Sequence, residues 1–289
     1  MAFRNGGKAR TIRDRFEPAM SGTTHPLATL ARVDELALGC SPVHRLDPRV
    51  KLATTLLFVL CVTSFDAHAV AGLLPFVCFP LVVSRISGIS PARIGKALRP
   101  ALPFVLAMGS LNPLLDRAPV ALIPGVEIAG GWFSLTSILL RFLLTLSALF
   151  LLTATTGMPA LGAAARRLGV PAGVVSVLLL TWRAIFLIAE EGERMRRAHD
   201  LRAFGVKRPA WPVAARLVGH LLLRSLERAQ RLHQAMLARG FDGTLPARPL
   251  LRFHLRDGVF LMGWTVLFLL LRFDDPVLRL GVWLMECIP

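Results

Sequence analysis

Residues Trp132 to Ala154 carry a single charged side chain, Arg141, in a run that matches the roughly 20 residues needed to cross a bilayer. Four further apolar runs, Leu52 to Phe65, Ala67 to Val83, Pro100 to Leu115 and Gly258 to Phe273, punctuate the chain. Lipid offers a backbone no hydrogen bonds, so such runs must close their own as helices. The expected fold class is all-α: an integral membrane helical bundle of about five spans, with room for a sixth because some runs are short. Composition agrees. Hydrophobic residues make up 54% of the chain, yet Lys and Arg outnumber Asp and Glu by 34 to 18. A soluble domain needs polar surface spread along the chain, and a nucleic-acid module would not combine a +16 charge with several apolar blocks, so no nucleic acid is expected as a partner. The lipid bilayer is.

The basic residues orient the spans. Nine Lys or Arg precede Leu52, and Arg85, Arg93, Lys96 and Arg99 stand unopposed between the second and third runs. The loop after the third run holds Asp116, Arg117 and Glu127 instead. Positively charged loops stay in the cytoplasm, so the N-terminus is expected inside the cell membrane. No apolar core of signal-peptide length precedes the first run, and no cleaved leader is expected. Four segments follow: a basic cytoplasmic segment, 1–49; four membrane helices, 50–154; a cytoplasmic or interfacial helical region, 155–256; and a last membrane helix with a short tail, 257–289. In the tail, Leu280, Val282, Trp283 and Leu284 are expected against the outer interface.

The apolar stretch Val170 to Ala189 is expected not to cross. Crossing would carry the basic region behind it outside, and Arg183 in its body would cost about 3 kcal/mol at mid-bilayer. From Arg183 to Arg256 the chain holds fifteen Lys or Arg against six Asp or Glu. Two amphipathic helices are predicted there, Gly173 to Leu201 and Pro212 to Ala238, around a break at Gly205 to Pro212. Glu190, Glu191, Glu193 and Asp200 are spaced for pairs with arginines of their own helix.

Those two helices end alike. Placing Arg202 on Arg239, 37 residues on, superposes Leu201-Arg202-Ala203-Phe204 on Ala238-Arg239-Gly240-Phe241. Gly240 suits a helix C-terminus because it takes positive φ readily, and an arginine complements the negative end of the dipole. Capping explains one copy. Two matched copies fit two equivalent sockets on a dimeric partner, since arginine is a planar donor for carboxylates.

The chain resembles the T component of energy-coupling-factor transporters of the cobalt permease type, CbiQ. Ser41-Pro42-Val43-His44-Arg45-Leu46-Asp47-Pro48-Arg49-Val50-Lys51-Leu52 is similar to that family's entry into its first span, and Ala238-Arg239-Gly240 matches the second of its two Ala-Arg-Gly signatures. Leu201-Arg202-Ala203 keeps only the arginine of the first. The resemblance implies a non-catalytic subunit that binds no cofactor itself. Its partners would be a cytoplasmic ABC ATPase dimer, which binds ATP and magnesium, a substrate-specific S component and a small accessory membrane subunit. Cobalt ion would be the transported substrate, with nickel or a vitamin as alternatives. The lead-in Arg32-Val33-Asp34-Glu35-Leu36-Ala37 is similar to cobalt-type members. Arg202 and Arg239, flanked by Leu201, Ala203, Ala238 and Gly240, would dock into the ATPase pair.

Other constellations carry less. Gly88 to Lys96 has the wrong spacing for a phosphate loop, and Ala97 stands where magnesium needs a hydroxyl. Cys40, Cys61, Cys78 and Cys287 lack metal or disulfide spacing, and the seven histidines include no His-x-x-x-His pair, so no metal site is assigned. Asp47 before Pro48 reads as a helix N-cap, with a local pair to Arg49 as the alternative. Arg141 inside a span calls for a partner subunit, a wet seam or snorkelling, and with Asp47 and Arg49 it is a candidate structural or partner contact. A membrane enzyme acting on lipid is the rival from another class. The sequence lacks His-Glu-x-x-His and Gly-x-Ser-x-Gly motifs and any acid pair on a span that would serve it. A membrane scaffold without transport shares the interaction helices, and dependence of uptake on this chain would separate it.

Overall fold

A computed structural model describes residues 36–37, 39, 41–66, 70–110, 119–123, 126–202, 210–245 and 253–273. Ala203, most of the break between the two basic helices, most of the N-terminal segment and the C-terminal tail lie outside the described residues. The described residues are mostly helical and include one short hairpin, as expected of an all-α bundle. Its described residues form two compact units, one built from 36–164 with 253–273 and the other from 165–202 with 210–245.

The first unit holds α1 (Pro48–Thr63), α2 (Val70–Ser87), α3 (Pro91–Leu98), α4 (Leu102–Gly109), α5 (Gly130–Thr156) and α9 (Leu255–Phe273). Between α4 and α5, β1 (Pro119–Ile123) pairs antiparallel with β2 (Val126–Ala129). This hairpin falls in the loop expected between the third and fourth runs. Helix α2 tightens to a 3₁₀ turn over Leu74–Val77, where Pro75 withholds an amide. The core lies where α1, α2, α5 and α9 meet. Phe58, Phe76, Phe79 and Phe268 are buried there with ring centroids 4.7–6.0 Å apart, and Trp264 meets Phe79 edge-on at 4.8 Å. The opposite faces are apolar and uncovered: Leu56, Leu60, Leu81 and Phe104 are more than half exposed, as suits a lipid-facing surface.

Among the described residues, three helices are long and apolar enough to cross a membrane: Val70–Ser87, Gly131–Thr156 within α5, and Ala172–Arg202. This differs from the five expected spans for physical reasons. Helix α1 has 16 residues, roughly 24 Å at 1.5 Å per residue, which is short for a ~30 Å hydrocarbon layer. Helix α9 has 19 residues but includes Arg256, Asp257 and Arg272. The third run is helical as α4 only to Gly109, and residues 111–118 lie outside the described set. The stretch that was expected not to cross meets the criteria of length and composition, with 11% of its apolar window buried.

The second unit holds the end of α6 (Met158–Arg167), α7 (Ala172–Arg202) and α8 (Trp211–Leu237). The two predicted basic helices thus exist with ends within a residue or so of the expected ones.

Candidate functional site: crossed basic helices and the polar ends of the first span

Helices α7 and α8 cross. Glu191 pairs with Arg224, Leu221 lies against Gly192, and further out Ser176 Oγ accepts from Leu245 N at 2.9 Å. Residue numbers rise on one helix as they fall on its partner, so the pair is antiparallel. Gly192 makes the approach close: a Cβ there would meet Leu221 Cδ2 at 3.4 Å. The segment behind α8 is tied back, with Arg166 donating to Leu245 O at 3.2 Å. Within it, Asp242 accepts from the Thr244 hydroxyl at 2.8 Å and its amide at 2.9 Å, which holds the carboxyl below its ordinary range.

The expected intrahelical pairs are largely present. Glu190 pairs with Arg194, and Glu193 with Arg196 and Arg197. Two differ. Glu191, though 3.9 Å from Arg194, makes its closer contact across to Arg224, and Asp200 meets His199 at 3.5 Å rather than an arginine. The spacing rule sees only neighbours on one helix, whereas the crossing brings α8 to Glu191.

Arg202 and Arg239 stand apart from these pairs. Both are exposed, and among the described residues neither has an ion-pair partner. The end of α8 is closed by a Schellman arrangement: Gly240 N donates to Leu237 O at 2.9 Å, Phe241 N to Met236 O at 3.0 Å, and Gly240 sits at φ 79°. That geometry is the physical content of Ala238-Arg239-Gly240, since a left-handed residue must follow the arginine and glycine adopts it without a Cβ clash. On the first copy, Leu201 is 85% exposed at the end of α7, and Ala203 lies outside the described residues. At 1.5 Å per residue, Arg202 stands roughly 15 Å along α7 from the crossing at Gly192, and Arg239 roughly 27 Å along α8 from Leu221. The antiparallel crossing sends them in opposite directions.

The Ser41-to-Leu52 word also gains a physical reading. His44 Nε2 donates to Leu36 O at 2.9 Å, and Nδ1 lies 2.6 Å from Ser41 Oγ. Leu46 packs on the core, and Asp47 caps α1 by accepting from Arg49 N at 2.9 Å, with Pro48 in the first turn. The cap reading of Asp47 holds, and the Arg49 pair accompanies it at a loose 3.9 Å. Two residues with roles here were not singled out by sequence. Buried Lys51 donates to Thr155 O at 2.9 Å, in the last turn of α5. Buried Asp257 accepts from Asp47 N at 3.1 Å and from His254 N at 2.8 Å, so one carboxylate closes the N-termini of α1 and α9 together. An aspartate three residues into a helix after a basic loop was the available signal, and its partner 210 residues earlier was not.

Arginines gather at the opposite end of α1. Arg141 donates to Asp66 O at 2.9 Å and reaches Ser137 Oγ at 3.3 Å, while Arg272 donates to Ser64 O at 3.0 Å and lies 4.6 Å from the centroid of the Phe65 ring. Arg141, for which a partner subunit, a wet seam or snorkelling was expected, thus has partners within the chain for Nη2, while its buried Nε has none among the described residues. Two cations meet carbonyls at the negative end of the α1 dipole, a favourable placement.

Comparison with known proteins identifies the family. The family model described as cobalt transport protein, CbiQ, matches residues 39–251. The energy-coupling factor transporter transmembrane protein EcfT of Bacillus subtilis is 30% identical over 225 residues, covering 71% of this chain and 82% of its own. The cobalt transport protein CbiQ of Salmonella typhimurium is 28% identical over 155 residues, 50% of this chain and 69% of its own. That of Rhodobacter capsulatus is 36% identical over 95 residues, 32% and 39% of the two chains. With its membrane-length helices and its crossed basic pair, the chain belongs to the CbiQ cobalt transport protein family and is a transmembrane component of an energy-coupling factor transporter.

Proposed function

We propose that this subunit couples a cytoplasmic ABC ATPase dimer to a substrate-binding S component, importing cobalt ion across the cell inner membrane, with its N-terminus and α6–α8 on the cytoplasmic side. The observation that carries the reading is the pair of exposed arginines, without an ion-pair partner among the described residues, at oppositely directed ends of two antiparallel helices that are pinned where they cross. Two such ends suit the two copies of a symmetric partner, each offering a carboxylate-bearing socket to a planar guanidinium. In this reading the subunit itself hydrolyses nothing. ATP and magnesium belong to the ATPases, whose closure moves α7 and α8 as rigid levers and reorients the S component. Helix α7 has the length to cross, but crossing would put the basic α8 outside, so it lies along the inner face.

Cobalt is supported by the name of the matching family and of two relatives. Another solute is the second reading, favoured because relatives that match 71% and 76% of this chain are named for the energy-coupling factor without a metal. The test is purification of tagged protein from its native membrane, comparing wild type with an Arg202→Glu, Arg239→Glu double variant. An ATPase and a small membrane protein should accompany wild type, and the double variant should lose the ATPase. Reconstituted wild type should take up Co(II). Wild type that purifies alone, or a double variant that keeps its ATPase, refutes the docking role; uptake of another solute in place of Co(II) refutes the metal alone.

A further inference from the structure

The end of α1 that carries Asp47 gathers three ionisable side chains inside the first unit. Asp47 is 1% exposed, Lys51 5% and Asp257 3%. Burying three charges costs several kcal/mol each before they are paired, and an apolar substitute of similar volume commonly serves stability as well or better. Stability alone therefore gives little reason to place them there.

Their connections suggest a reason. Lys51 holds the last turn of α5 through Thr155 O, and Asp257 holds the first turn of α9 to the backbone of Asp47. Among the described residues the chain links the two compact units after Ala164, a short way from Thr155, and again between Leu245 and Phe253, a short way from Asp257. A displacement carried along either link, through α6 in one case and into the start of α9 in the other, reaches a helix end that this node fastens to α1. At its far end α1 is fastened again, by Arg141 from α5 and Arg272 from α9. Held at both ends by the same two helices, α1 braces them as one body.

The node also has capacity left over. Asp47 Oδ2 is buried without a hydrogen-bond partner among the described residues, and so is Thr156 Oγ1. An ammonium has three donors, of which the Thr155 bond uses one, and Lys51 lies in Coulombic range of both carboxylates. Lys51 and Asp47 thus each keep hydrogen-bonding capacity that the described contacts do not use.

We propose that Asp47, Lys51 and Asp257 are positioning residues for transport, the anchor through which movement of the α7–α8 unit is delivered to the membrane helices. The inference rests on the coupling function proposed above. The test compares wild type, Lys51→Met, Lys51→Arg and Asp257→Asn in the complex purified from native membrane and reconstituted in liposomes. For each, ATPase co-purification, melting temperature, ATP hydrolysis and Co(II) uptake per ATP are measured. With the anchor cut by Lys51→Met, the ATPase should stay bound and active while uptake per ATP falls about tenfold, within the usual range of coupling between sites. Lys51→Arg, which keeps a donor, should recover most of it. If Lys51→Met does not assemble, Asp257→Asn decides, because it keeps the shape and removes one acceptor. Unchanged uptake per ATP in the variants that assemble overturns the inference, as does a fall that only tracks loss of assembly or melting temperature. Wild type that hydrolyses ATP without moving Co(II), or that lacks an ATPase, overturns the proposed function and this inference with it.

Discussion

Gly240→Ala isolates the geometry of the docking end from its charge. Gly240 sits at φ 79°, and a Cβ built there meets nothing within 4 Å, so the substitution adds no steric clash with the rest of the chain. Its cost is that of an L-residue in the left-handed region, about 1–2 kcal/mol. That cost bears on the two hydrogen bonds that close α8, from Gly240 N to Leu237 O and from Phe241 N to Met236 O. A cap destabilised by this amount shifts the closed-to-frayed ratio about 5- to 30-fold. If a closed end is needed to present Arg239, ATPase affinity should weaken toward that range where the cap is marginal. The assay is ATPase binding to purified subunit in nanodiscs by surface plasmon resonance, with Gly240→Asn and Arg239→Ala alongside. Asparagine tolerates the left-handed region better and should lie between glycine and alanine. Gly240→Ala binding like wild type while Arg239→Ala loses binding would refute the reasoning, since charge alone would then suffice.

Two further outcomes follow from named contacts. Arg272→Met removes a charged donor from Ser64 O and the cation over Phe65, and should lower the unfolding free energy in detergent by about 1.5–3 kcal/mol, read from thermal or denaturant melts; an unchanged melt would show that the end of α1 needs no clamp. Reversing the crossing pair one residue at a time, Glu191→Arg or Arg224→Glu, should cost about 0.2–1 kcal/mol and lower uptake, while the double reversal restores both. A double reversal no better than its parents would remove this pair from the crossing.

Sequence determined the elements whose causes are local. Apolar runs bounded by arginines gave the bundle, the 37-residue repeat gave two helices with like ends, and Asp47 before Pro48 gave a cap, because periodicity, charge and capping act within a few residues. Gly240 in the left-handed region was legible for the same reason. Tertiary structure decided what depends on approach between distant segments. Glu191 turned from its own helix to Arg224, Arg141 found the carbonyl of Asp66, and Asp257 took up the backbone of Asp47, 210 residues away. A buried charge must find a partner wherever the fold supplies one, and spacing along a single helix does not reveal a neighbour that arrives only when helices cross.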